Sequence, residues 1–143
     1  MIKSSTVSEM IFVDTSAFYA LEVTTDVNHK SAKAFLNELK NNKYGLLLTT
    51  DYILDETYTL LRIRKNHTVA MAFLDKVFKS KSIRIIWIDE LMFRKALQYA
   101  KKYNNLKLSY TDCTSFAVME SFKIKTAFSF DSHFSNVGFT RLP

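Results

Sequence analysis

Glycine and proline are almost missing from this chain of 143 residues: Gly45, Gly138 and Pro143 are all there is of either. Helices therefore have to stop by other means, and Asn41-Asn42, Asn66 and Asn104-Asn105 are the expected stops, since asparagine tolerates the left-handed conformation. The same scarcity excludes Gly-rich or Pro-rich linkers, so one compact domain is expected over residues 10–143. Cysteine occurs once, as Cys113. No intrachain disulfide is possible, and a cytoplasmic location is the default expectation. No apolar run approaches the roughly 18 residues of a membrane span, so no membrane is expected as a partner. The stretch Met1 to Glu9 is polar and has no signal-peptide core; it reads as a loose leader.

Acidic residues are outnumbered, 14 against 20 basic ones, for a formal net charge of +6. That surplus fits a polyanionic partner such as nucleic acid, and fits a merely solvated basic surface equally well. Arg62, Arg64, Lys65, Lys101, Lys102, Lys107, Lys123 and Lys125 are the candidates for a rim that holds an RNA backbone without reading sequence.

What the chain does have is alternation. Met10-Ile11-Phe12-Val13 is a short apolar run suited to a strand buried on both faces. A short helix follows over Thr15 to Leu21. A second runs from the cap signal at Thr24-Thr25-Asp26 to Lys40, with Ala32, Phe35, Leu36 and Leu39 inward. Tyr44 to Thr49 is the second strand, and Thr50-Asp51 opens a helix to Arg64. Thr68 to Lys79 is amphipathic. Ile83 to Ile88 is a third strand, and Asp89 caps a helix to about Tyr103 with Met92, Phe93, Ala96, Ala100 and Tyr103 inward. A further helix starts at Thr111 or Asp112. The strand at Thr126 to Phe130 runs into Asp131, and Gly138-Phe139 is a possible edge strand. Strands alternating with helices predict an α/β fold with a mostly parallel sheet and helices on both faces.

Two of these strands end in an aspartate, Asp14 and Asp131. Glu56 lies one turn into the helix after the second strand, on a stripe shared with Tyr52, Ile53 and Leu60, so partial burial is expected. Asp112 opens a helix after a polar loop. In a parallel sheet, strand ends and the starts of the following helices share one edge, so all four acids can meet there. Each also has an ordinary reading, as a helix cap or a solvated charge. Four carboxylates in one pocket repel one another, and a hard divalent cation with oxygen ligands, Mg²⁺ or Mn²⁺, resolves this. Zinc fits less well, because His29, His67 and His133 are scattered and Cys113 stands alone.

These residues also carry a resemblance. Ile11-Phe12-Val13-Asp14-Thr15-Ser16-Ala17, Leu54-Asp55-Glu56-Thr57-Tyr58, Ser109-Tyr110-Thr111-Asp112-Cys113-Thr114-Ser115-Phe116-Ala117, and Thr126-Ala127-Phe128-Ser129-Phe130-Asp131 with Phe134 resemble, in order, the four motifs of the PIN-domain nucleases. The likeness is strongest to the VapC-type toxins of toxin–antitoxin pairs. Cys113 departs from the more usual small alanine, and the leader is longer than usual; neither change removes an acid.

The resemblance implies a three-layer α/β/α sandwich, metal-dependent endoribonuclease activity on RNA, a homodimer and an antitoxin protein as partner. It casts Asp14, Asp112 and Asp131 as ligands of Mg²⁺ or Mn²⁺, directly or through water. Glu56 then completes the shell or orients the attacking water. Ser16 and Ser129 are candidates for hydrogen bonds behind the carboxylates. Asp51 is read as a helix cap and Asp55 and Glu120 as solvated; His133, close to Asp131, is read as a surface histidine with a phosphate contact as the alternative, and Cys113 as a packing thiol rather than a reactive one beside the site. A receiver domain would want paired acids after its first strand, and a haloacid-dehalogenase-like phosphatase would want an aspartate where Ser16 stands. A non-catalytic PIN-like RNA-binding or regulatory module is the alternative from another class.

Overall fold

The computed structural model describes residues 9–41 and 44–143. Its described residues form β1 (Glu9–Val13), α1 (Thr15–Glu22), α2 (His29–Asn41), β2 (Tyr44–Thr50), α3 (Asp51–Arg64) and α4 (His67–Lys79). These are followed by β3 (Ile83–Ile86), α5 (Glu90–Lys102), α6 (Tyr110–Ser121), β4 (Thr126–Phe128), α7 (His133–Asn136) and β5 (Thr140–Leu142). The strands form one sheet in the order β3-β2-β1-β4-β5, and every neighbouring pair is parallel.

β1 is central because it can be buried on both faces: Ile11, Phe12 and Val13 are 0–1% exposed. Its register sets Ile11 beside Leu47, and Phe12 between Leu48 and Ala127. Side chains alternate across the pleat, so Val13 and its partner Phe128 share one face and Phe12 takes the other. On the first face, Phe35 of α2 packs edge-on to Phe128, and Phe18 of α1 meets Phe73 of α4. On the second, Phe12 meets Phe134, which also packs edge-on against Phe116 of α6. Helices thus cover both faces, giving the expected α/β/α sandwich.

The chain builds outward from β1 through β2 to β3, then crosses back to lay β4 and β5 on the other side. The crevice between the carboxyl ends of β1 and β4 is therefore the topological switch point, where open α/β sheets bind ligands.

Several local expectations change. Glu9, read as leader, is the first residue of β1; the rest of the leader, residues 1–8, lies outside the described residues, as do Asn42 and Lys43. α2 starts three residues after Asp26, because Asp26 instead closes a turn in which its side chain accepts from Asn28 N–H at 3.0 Å. β3 ends at Ile86, leaving Trp87 65% exposed, and Phe93 on α5 is half out of the core. The edge strand is Thr140–Leu142 rather than Gly138-Phe139; Gly138, at φ +101°, turns the chain into it.

None of the described asparagines takes the left-handed conformation. Lys123, just past α6, does so instead. Asn66 starts α4, accepting from Val69 N–H at 2.9 Å, rather than ending α3. Among the described residues no helix is long and apolar enough to cross a membrane.

Candidate metal centre

Val13 delivers Asp14 to the switch-point crevice. Asp14 caps α1, as its ordinary reading expects, but the bond from Ser16 N–H is long at 3.4 Å. Its stronger partners are two hydroxyls: Ser16 Oγ and Ser129 Oγ each donate to Asp14 Oδ2 at 2.8 Å. The direction is fixed by what the hydroxyls accept. Phe130 N–H donates to Ser16 Oγ and Asp131 N–H to Ser129 Oγ, both at 2.9 Å, so each hydroxyl proton is free for the carboxylate. Sequence reasoning named both serines; their joint grip on one oxygen emerges only in three dimensions.

Asp112 is held differently. Ser109 and Asp112 form a capping box: Asp112 N–H donates to Ser109 Oγ at 3.0 Å, and Ser109 N–H to Asp112 Oδ2 at 3.1 Å. The helix thus starts earlier than expected, at Tyr110, which places Asp112 one turn inside it. β4 ends at Phe128, so Asp131 stands in the turn after the strand rather than at its tip. Its Oδ1 accepts from His133 N–H at 2.9 Å. Glu56 is half-buried on α3, as its apolar stripe suggested.

The charges register one another. Burial raises the Asp14 carboxyl to about 6, the Ser16 and Ser129 hydroxyls oppose the rise, and Asp131 adds to it. Burial likewise pushes up Glu56. The Thr15 hydroxyl beside it works the other way without reaching good hydrogen-bond alignment, and Asp112 and Asp131 push further up. Asp112 is raised by burial and by Asp131 and Asp14, against the Ser109 backbone N–H and His133. The four acids named from sequence thus lie within one electrostatic neighbourhood. Among the described residues no lysine or arginine forms an ion pair with any of them.

The tightest knot has a different membership. Asp112, Asp131 and His133 each place one donor atom within 4.8 Å of the others, whereas Asp14 and Glu56 stand outside that group. His133 is half-buried rather than a free surface residue: its Nδ1 is buried, hydrogen-bonds to nothing, and lies 3.4 Å from both Asp112 Oδ2 and Asp131 Oδ1. A buried nitrogen without a partner among converging carboxylates is what a cation site leaves when only its donors are drawn. The donor set therefore fits a divalent ion.

Other expectations shift with the geometry. Asp51 does not cap α3, since Thr50 does. Asp51 accepts from Ile88 N–H at 2.8 Å and fastens the loop after β3. The expected basic rim is dispersed. Lys123 and Lys125 share a groove with Glu9, Met10, Thr126 and Thr140 at the amino ends of the strands, the edge opposite the acids. Arg62 and Arg64 lie in the last turn of α3, roughly 9–12 Å along the helix from Glu56 at 1.5 Å per residue. Arg141, which the sequence did not single out, reaches the site instead, its Nη1 donating to Ser129 O at 3.3 Å. Cys113 is buried against Ala96 and Ala117, and burial with Asp112 nearby raises its thiol, as a packing role requires.

Comparison with known proteins agrees with this geometry. The family described as PIN domain matches residues 11–140. The chain is 34% identical over 133 residues to the 23S rRNA-specific endonuclease VapC20 of Mycobacterium tuberculosis (strain ATCC 25618 / H37Rv), covering 93% of this chain and 98% of the relative. It is 37% identical over 124 residues to a VapC ribonuclease of Archaeoglobus fulgidus, covering 86% and 78%. Among solved structures, that of M. tuberculosis VapC20, a sarcin-ricin loop cleaving toxin, superposes with a TM-score of 0.82 at 34% identity over 91% of this chain and 96% of the other. FitAcB from Neisseria gonorrhoeae shares the fold at 15% identity and a TM-score of 0.65, over 94% and 97% of the two chains.

Proposed function

Because the chain belongs to the PIN domain family, and within it resembles VapC ribonucleases along most of its length, we propose that it is a divalent-metal-dependent endoribonuclease, the toxin of a VapBC-type toxin–antitoxin pair. The observation that carries this reading is the convergence of Asp14, Glu56, Asp112 and Asp131 from four separate elements: the first three are raised by burial and by neighbouring acids, and no lysine or arginine among the described residues pairs with any of the four. A purely structural surface would disperse or pair such charges. Residues 10–143 act on this reading as one nuclease domain.

Asp112 and Asp131 would hold the ion, with Asp14 beside them. When bound, a divalent cation lowers the pKa of water and stabilises negative charge building on a phosphate oxygen. The chain's own residues do the rest. Ser16 and Ser129 hold Asp14 in one orientation and favour its ionised form. Glu56, whose pKa burial raises, would orient the attacking water and take its proton. Arg141 supplies positive charge at the rim where the phosphate backbone would pass.

Purified protein with labelled RNA and Mg²⁺ or Mn²⁺ is expected to cleave, and EDTA to stop it. The sarcin-ricin loop of 23S rRNA is the first substrate to try, given what the VapC20 relative cleaves. Asp14→Asn is expected to lose cleavage with wild-type RNA binding retained. Metal-independent cleavage equal in wild type and variant would sink the mechanism, and RNA binding without any cleavage would establish the non-catalytic module instead.

The homodimer and the antitoxin belong to the same proposal. Phe78 and Trp87, 60% and 65% exposed, line one mainly apolar groove with Tyr58, Met71 and Leu74, the kind of contiguous surface that a partner covers. Expressed alone, the chain is expected to arrest growth and the product of an adjacent small reading frame to relieve it; the purified chain should sediment at twice its monomer mass. Normal growth on expression, or a monomer, would remove the corresponding half of this reading.

A further inference from the structure

We infer that the imidazole of His133 is a nitrogen donor to the cation held by Asp112 and Asp131, and that this donor makes the site favour Mn²⁺ over Mg²⁺. The inference rests on the metal-site reading above and deepens it, since four carboxylates alone name no preference between these ions.

The geometry points to a ligand rather than an ion pair. A charge-assisted N–H···O bond closes to about 2.7–2.9 Å. His133 Nδ1 stays 3.4 Å from one oxygen of each aspartate and satisfies the alignment of a hydrogen bond with neither. Donors about 2.1 Å from a common ion lie about 3 Å apart when set at right angles. His133 Nδ1 therefore sits slightly farther from each aspartate oxygen than in a filled coordination sphere and needs only a small contraction.

The ring is also held in place. His133 N–H is fastened to Asp131 Oδ1 at 2.9 Å, and the next residue, Phe134, is fully buried between the rings of Phe12 and Phe116. These contacts fix the backbone from which the His133 ring projects. The packing that closes one face of the sheet thus presents Nδ1 to the two carboxylates.

The chemical consequence follows from the donor type. Mg²⁺ prefers oxygen donors and gives up its waters reluctantly. Imidazole nitrogen suits first-row transition ions, the series that Mn²⁺ opens and to which Mg²⁺ does not belong. A site with two aspartates and one histidine is therefore expected to bind Mn²⁺ more tightly than Mg²⁺ by a margin that the histidine supplies.

Electron spin echo modulation of the Mn²⁺-loaded full-length protein tests this without reference to activity. Nitrogen-14 coupling characteristic of a ligated imidazole is expected in wild type and is expected to vanish in His133→Ala and His133→Gln. Calorimetric titration is expected to show about a tenfold loss of Mn²⁺ affinity in both variants and little change for Mg²⁺. Two results would overturn the inference while leaving the metal-site reading intact: Mn²⁺ bound without nitrogen coupling in wild type, or coupling that persists in the variants. Tighter Mn²⁺ binding after removal of His133 would overturn it too, showing that the imidazole competes with the cation as a positive charge. A wild-type protein that binds no divalent ion would instead end the metal-site reading itself.

Discussion

Asp14→Asn is expected to make the metal-free protein more stable at pH 7 while reducing cleavage by about a hundredfold or more, since even partners behind metal ligands are worth 10–100-fold. The stability gain follows from the sign of the shift. Burial raises Asp14 to about 6 from an ordinary value of 3.8. Between those two values the folded chain holds a proton that the unfolded chain has released. Folding stability in EDTA therefore falls as pH rises from about 4 through 6, and the full penalty is present at pH 7. A shift of that size corresponds to about 3 kcal/mol. Glu56 and Asp112 are raised as well, so their contributions run in the same direction. Asparagine keeps an oxygen to accept from Ser16 and Ser129 and carries no charge to desolvate. Urea unfolding of both proteins at pH 4.5 and 7 in EDTA checks this: the wild type should weaken with rising pH and the variant should weaken much less. Wild-type stability that climbs from pH 4.5 to 7, or a variant less stable than wild type at pH 7, would contradict the burial argument.

Divalent cation is expected to reverse that penalty. Mn²⁺ at a hundred times its dissociation constant should stabilise the fold by about 2.7 kcal/mol by mass action, raising the melting temperature by roughly 5–10 °C for a domain of this size. The gain should be largest near pH 7 and fade toward pH 5, where protons compete for Asp14. EDTA should undo it. Asp112→Asn with Asp131→Asn should abolish it, because those two carboxylates and His133 form the tight donor group. Differential scanning calorimetry across pH provides the measurement. A melting temperature indifferent to millimolar Mn²⁺ would refute a cation site here, as would a shift that survives the double substitution.

Much of this was legible from the order of residue types, for reasons that can be named. Asp14 and Asp131 follow apolar runs short enough to be strands, and parallel strands put their carboxyl ends on one edge. Glu56 betrayed itself by sharing a helix stripe with Tyr52 and Leu60. Asp51, by contrast, follows β2 much as Asp14 follows β1, and nothing in the local pattern separates them. Their difference lies in partners distant in sequence: Ile88 N–H for Asp51, and the Ser129 hydroxyl for Asp14. His133 was illegible for a related reason. Reading β4 through to Phe130 put Asp131 at a strand tip and left His133 beyond it, in solvent. Ending β4 at Phe128 lets the chain turn, and Phe134 in the core draws His133 inward. Two members of the expected basic rim fall elsewhere because charge counts carry no direction: Lys123 and Lys125 precede β4 where Asp131 follows it.

The clamp on Asp14 has a consequence in time. Its two hydroxyls bind residues 14 and 16 to residues 129–131, across more than a hundred positions of chain. Translation runs from the amino end, so Asp14, Glu56 and Asp112 are all made while Ser129, Asp131 and His133 are still unwritten codons. Until those residues leave the exit tunnel, Asp14 lacks half of its clamp and the tight donor group has only Asp112. On the proposed reading, the site of a nuclease whose relative attacks ribosomal RNA therefore cannot assemble until residues 129–133 have been made.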